Sequence, residues 1–275
     1  ARIPSVLYSA ESCSSETTAS TLATVLFYLV KYPATLQKLQ CLLDDAMPGG
    51  LKEWSYEKVK TVTFINDIIN ETLCLRPAVL TGGYCVTPAK GLQVDEVYIP
   101  RDVNVFVLIQ LIQTNKQYCK DAHQFIPECW GERRDEMGTD SVLFLPFSLG
   151  WYPLIMYGLD FQQNLWLTTF TGLYSCPGKN LSMLSLRIAV SSITQQFNIT
   201  FAPGETGEKF DKKVLDTFTT TLPPLLIQFS ISKQVSYAWE SVICNGMITG
   251  FCMHLDADPC IASLLVFRTA IYGGS

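Results

Sequence analysis

Residues 175–190 read SCPGKNLSMLSLRIAV. A thiol stands just ahead of a Pro-Gly pair, and behind it Leu181, Leu184, Ile188 and Val190 recur at helical spacing. The spacing predicts a helix beginning at Cys176-Pro177-Gly178, with Pro in its first turn. Backbone N–H groups and the positive end of the peptide dipoles gather at such a start and favour a thiolate there. A thiolate so placed serves as a nucleophile or as a metal ligand, haem iron included. The bland alternative is a buried structural cysteine. The only histidines are His123 and His254, so a nucleophilic Cys176 lacks a nearby base.

Upstream, residues 17–30 (TTASTLATVLFYLV) are uncharged and apolar on nearly every face, as in a helix at the middle of a larger helical protein. Fourteen residues are too few to span a bilayer. Glu16, Thr17 and Thr18 open this helix; an acid beside hydroxyls there is either a cap or a functional pair. Pro33 starts a second helix with Leu36, Leu39, Leu42 and Leu43 inward, stopped by Pro48-Gly49-Gly50. A third is predicted over about 55–76, striped by Val62, Ile65, Ile69, Thr72 and Leu73 and ended by Pro77. In its ETLCLRP segment Glu71 finds no cation at i+3 or i+4, so spacing alone makes it a solvated glutamate. Residues 84–107 read as short strands and turns, and 113–132 as a polar loop punctuated by Pro127.

The whole chain of 275 residues is 48% apolar and 16% charged, which excludes a disordered or collagen-like protein. A net charge of −5 disfavours a nucleic-acid surface. The low charged fraction and a mean hydropathy of +0.20 lean towards a very buried, membrane-associated or incomplete chain. The sequence starts without Met and enters an apolar helix almost at once, as a piece of something longer would. Ten irregularly spaced cysteines without a CxxC pair read as mostly reduced thiols of an intracellular compartment. Residues 141–159 reach the length of a membrane span, but Pro146, Gly150 and Pro153 favour a loop. Cys244, Cys252, His254 and Cys260 fit no standard zinc spacing. The order of elements implies a mainly α fold with small β-sheets and no βαβ repeat.

Taken in order, SETTAST, ETLCLRP, FIPECWGE, FLPFSLG and SCPGKNLSMLSLRIA closely resemble the C-terminal half of a cytochrome P-450, a haem-thiolate monooxygenase of the membrane-bound fungal type. The resemblance covers 1–229 apart from an unmatched insert at about 151–172, and leaves the tail 230–275 outside. It implies that Cys176 is the axial ligand of haem iron, that Gly178 lets the helix approach the porphyrin, and that Phe147 packs beside the ligand loop. Glu16 and Thr17 become the acid–alcohol pair delivering protons to dioxygen. Glu71 becomes the acid of E-x-x-R, tied to the P-E-R-W loop matched by Pro127, Glu128 and Trp130. Haem, NADPH electrons through a flavoprotein reductase, a small organic substrate and an endoplasmic-reticulum membrane for a full-length relative follow from the same resemblance.

The departures from that pattern are systematic. The Arg of E-x-x-R is Cys74, the Arg of P-E-R-W is Cys129, and Cys85 stands where relatives commonly carry an Arg near a haem propionate. No Arg precedes Cys176 in GLYSC, and Ser14 replaces the glycine that opens the oxygen pocket. Gly150 lies 26 residues before Cys176 where the family has four, which points to non-coding sequence read through at 151–172. Loss of a buried partner costs on the order of 3–5 kcal/mol, or Glu71 stays protonated. The expectation is a chain that binds haem poorly and is inactive; the alternative is a pseudoenzyme or degenerate product that binds none.

Overall fold

Residues 20–29 of helix α1 (Pro4–Lys31) are buried without a break, so for almost three turns the helix has no solvent face. The hydroxyls on that stretch are silenced locally: Thr21 and Thr24 each donate to the carbonyl four residues back, at 2.7 and 2.8 Å. The expected greasy helix is therefore present, and it starts thirteen residues earlier than residue 17. Coordinates come from a computed structural model that describes residues 4–81, 85–118, 120–139, 141–148, 176–231 and 264–267.

Helix α2 (Pro33–Ala46) turns Leu36, Leu39 and Leu43 inward, whereas Leu42, expected inward, is 37% exposed. It lies beyond the edge of the buried stripe. The third helix is two. α3 (Tyr56–Thr61), capped by the Ser55 hydroxyl, ends at Val62, and α4 (Phe64–Leu75) starts afresh. Val62 sits at ψ 79°, outside the helical region, while Thr61 spends its hydroxyl on the Lys58 carbonyl at 2.7 Å. The expected stripe nonetheless holds, since Val62, Ile65, Ile69, Thr72 and Leu73 are all buried.

Short antiparallel ladders follow. β1 (Cys85–Val86) pairs with β4 (Asn104–Val105), and β2 (Leu92–Val94) makes a hairpin with β3 (Val97–Ile99) around Asp95, at φ 49°. α5 (Ile109–Gln113), a 3₁₀ turn at Pro127–Trp130 and α6 (Arg134–Met137) carry the chain to the 141–148 segment. α7 (Lys179–Gln196) begins with Gly178 as its cap, so Pro177 precedes the cap instead of occupying the first turn. β5 (Phe197–Phe201), α8 (Glu208–Lys212), the β6 (Leu215–Thr217)–β7 (Thr219–Thr221) ladder and β8 (Leu225–Ile231) complete the body. β9 (Leu264–Phe267), from the 230–275 tail, joins β8 as the third strand of a β5-β8-β9 sheet.

One apolar core runs through α1, α2, α4, α7 and the β5–β8 pair. Arg187 of α7 reaches Asn66 of α4 at 2.6 Å, and Trp54 reaches Ser191 at 3.2 Å, which fixes α7 against the helices before it. The fold is mainly α with small sheets, as the sequence implies. Among the described residues no helix is long and apolar enough to cross a membrane. The 151–172 insert, the 149–159 part of the apolar run and the Cys244, Cys252, His254 and Cys260 group lie outside the described residues.

Candidate functional site

The start of α7 is held by the chain 29 residues upstream. The backbone N–H of Cys176 donates to the Phe147 carbonyl at 3.1 Å, and the Cys176 carbonyl accepts from Lys179 N–H at 3.2 Å. Gly178 caps the helix, its carbonyl taking Ser182 N–H at 2.8 Å. The Lys179 ammonium lies 5.5 Å from the centre of the Phe147 ring. The result is a loop closed at Phe147 and Cys176, with the thiol exposed at the entrance of an 18-residue helix.

α1 meets the first turn of α7 directly: the Thr18 hydroxyl donates to Ser182 Oγ at 3.0 Å. Thr17, one residue earlier, is half-buried, and its carbonyl accepts hydroxyls from Ser20 and Thr21 at 3.1 and 2.7 Å. Glu16 is exposed. The structure thus brings Phe147, Cys176 and Gly178 together and carries the Thr17–Thr18 turn, midway along α1, to the same helix start; Glu16, Thr17 and Thr18 do not open the helix, which begins at Pro4.

Glu71 belongs to a separate cluster. It is 5% exposed, against the expectation of a solvated side chain. Its Oε1 accepts Ile126 N–H at 3.0 Å; its Oε2 accepts Trp130 Nε1–H at 2.8 Å and the Cys129 thiol at 3.3 Å. Helix α4 is thereby fastened to the Pro127–Trp130 turn through neutral donors alone. Burial raises the Glu71 carboxyl above its usual range despite these bonds, and raises the Cys129 thiol as well. Cys74 donates its thiol to the Gln113 carbonyl at 3.7 Å. Cys85 lies on β1, and Cys13 and Ser14 on α1.

Gln113 escaped the sequence reading. It is 1% exposed; its amide donates to the Leu73 and Cys74 carbonyls at 3.0 and 2.9 Å, and its side-chain oxygen accepts Leu145 N–H at 2.7 Å. One side chain therefore satisfies the C-terminal carbonyls of α4 and pins the strip leading to Phe147. A glutamine directly after the apolar pair Leu111-Ile112 was its only sequence signal.

Asp67, half-buried on α4, is pushed up to about 6 by burial and by Glu128 and Glu132, with Lys38 opposing. Its stabilising effect is complete below its ordinary 3.8 and is lost as pH rises through about 6. Asp67→Asn should therefore leave stability unchanged at pH 3.5 and raise it by about 1 kcal/mol at pH 8, after discounting for solvent screening. Urea midpoints at the two pH values measure this.

Comparison with known proteins gives a consistent result. The family model described as Cytochrome P-450 matches residues 12–151. The chain is similar to the cytochrome P-450 monooxygenase eupD of Phoma sp, 38% identical over 79% of this chain and 67% of that protein. It is 33% identical to the cytochrome P-450 monooxygenase orf5 of Eupenicillium brefeldianum, over 80% of this chain and 39% of that one. It is 28% identical to the tryprostatin B 6-hydroxylase of Aspergillus fumigatus over 71% and 31%. The chain thus spans about two thirds of the first relative and two fifths or less of the other two.

Proposed function

From the premise that this chain belongs to the cytochrome P-450 family, we propose that it is a haem-dependent monooxygenase chain, impaired in this copy, with Cys176 as the ligand of the iron. The observation carrying the reading is the hydrogen bond from Cys176 N–H to the Phe147 carbonyl at 3.1 Å, which presents an exposed thiol at the head of α7. The donor chemistry fits, since a thiolate is an established axial ligand of haem. When bound, haem supplies the activation of dioxygen that puts one oxygen atom into an organic substrate.

The chain's own residues divide the remaining work. Gly178, the cap of α7 and without a side chain, would let a flat macrocycle approach the helix start. Phe147, its ring beneath the Lys179 ammonium and its carbonyl bonded to Cys176 N–H, packs beside the loop that presents the thiol. Thr17, midway along α1, stands one residue before Thr18, whose hydroxyl reaches Ser182 in the first turn of α7. Exposed Glu16 relays protons from solvent towards the Thr17 hydroxyl. Electrons arrive from NADPH through a flavoprotein reductase, and the assembly works at the endoplasmic-reticulum membrane.

Impairment follows from the Glu71 cluster. No cation lies within 4 Å of Glu71 among the described residues, because positions 74 and 129 carry thiols. Outer residues that brace a metal ligand are worth about 10–100-fold in affinity. The purified chain, titrated with haem, should show little or no absorbance of thiolate-ligated haem after reduction under CO. Cys74→Arg with Cys129→Arg should raise uptake at least about tenfold, and Cys176→Ser added to that pair should abolish the thiolate band. A full band in the unaltered chain would overturn the impairment; a band surviving Cys176→Ser would overturn the ligand.

A further inference from the structure

Beside the C-terminal half of α4 lies a cavity of about 50 Å³, several times the ~10–15 Å³ one water needs. None of its lining residues is Cys176, Phe147, Gly178, Glu16 or Thr17. Glu71 forms part of its wall, with Cys74 and Gln113 on one side and Cys129 and Trp130 on the other. Two features make it hungry for positive charge. A carboxylate offers about four lone-pair sites, and Glu71 has three filled, all by neutral donors. The wall also belongs to the last turns of a 12-residue helix, whose negative dipole end favours cations.

Two cations close by are committed elsewhere. Arg76, at the end of α4, turns away to the Phe210 and Asp211 carbonyls and the Asp211 carboxylate. Lys38 pairs with Glu128 and Glu132 at 3.0 and 2.6 Å. Lys120 and Asp121, both at the cavity wall, carry opposite charges, and among the described residues no cation forms an ion pair with Glu71. The shape completes the specification: the Trp130 ring offers one flat apolar surface and two thiols add soft, weakly polar ones.

We propose that this cavity is a binding site for a small planar organic cation of the guanidinium or amidinium type, which donates to Glu71 while lying against Trp130. Such an ion delivers N–H donors in one plane, as a carboxylate between a ring and a helix end requires. A compact tetrahedral cation brings the charge without the donors. Nothing in the site depends on iron at Cys176.

Thermal unfolding of the purified chain with 0–10 mM methylguanidinium chloride tests this, against equal concentrations of sodium and tetramethylammonium chloride. Guanidinium acts as a denaturant only at far higher concentration. Methylguanidinium should raise Tm saturably by about 2–4 °C, and the other two salts should not. Glu71→Gln should remove the shift. Cys74→Arg, which places a tethered guanidinium in the cavity, should raise Tm by itself and make the chain indifferent to added ligand. If Glu71→Gln fails to fold, Cys74→Arg alone decides. No saturable rise, an equal rise with tetramethylammonium, or an undiminished rise in Cys74→Arg would overturn the proposal.

Discussion

Phe27→Ala should lower the unfolding free energy by about 3–5 kcal/mol, the range for emptying a large aromatic site, and the melting temperature by about 10 °C or more. Phe27 is 1% exposed and packs on Phe210 at 4.9 Å, Tyr28 at 5.3 Å and Phe201 at 6.2 Å between ring centres. The Arg76 guanidinium rides 5.4 Å from its ring, drawn there by the aromatic face and held by Asp211. On another side the backbone of Gly207 comes so close that a Cβ there would stand 2.8 Å from the ring. Gly207 is also at φ 72°, so it cannot grow a side chain to fill the gap. The loss is therefore a transfer term plus an open cavity and an abandoned cation. Phe27→Leu, which keeps much of the volume, should cost about half as much. Equal losses for the two substitutions in urea titration would show that the ring cluster adds nothing beyond bulk.

That cluster explains why α1 was readable from its residues and other parts were not. Ten consecutive helical positions that are apolar or carry only a hydroxyl, without a polar face, point to burial on all sides, and residues 20–29 adopt it. The stripe on α4 is legible for the same reason of period. The break between α3 and α4 is not, because Val62 and Ile65 keep the apolar spacing while the backbone at Val62 leaves the helix. Glu71 is illegible from local spacing for a different reason. Its partners stand 55 to 59 residues away, so inspection of its own helix face finds only absent cations and concludes solvent. Gln113 acts at a range of about 40 residues. The pairing of Phe147 with Cys176 spans a gap no periodicity crosses; only the motif resemblance placed the two residues in one loop. Four-residue β9 carries too little pattern to stand out from a mixed tail. The sequence thus exposes what depends on period and hides what depends on long-range hydrogen bonds.

Cys74→Arg is expected to reverse the sign with which Glu71 makes stability depend on pH. In the present chain the folded carboxyl titrates above its ordinary 4.5, since burial outweighs the Ile126, Trp130 and Cys129 donors. Its contribution is then complete below pH 4.5 and is lost as pH rises through the folded value. An arginine at position 74 sits three residues on along the same helix and faces the cavity that Glu71 borders. Its charge favours the carboxylate, so the folded value drops below the unfolded one; the stabilisation is then present above pH 4.5 and lost in acid. Breaking a buried ion pair costs on the order of 3–5 kcal/mol. Restoring one here should return less, about 2–3 kcal/mol at pH 8, because protonation and neutral donors already relieve part of the penalty. Near pH 4 the gain should shrink towards nothing, and overpacking of the cavity would appear there as a net loss. Asp67 titrates with the same sign in both chains, so subtracting their urea-derived stabilities at each pH isolates Glu71. A stability difference flat from pH 4 to 8 would mean that the new arginine never reaches the carboxylate. A difference that grows with pH makes the absence of a cation beside Glu71 the reason its carboxyl favours the protonated form, and shows that an arginine at position 74 reaches it.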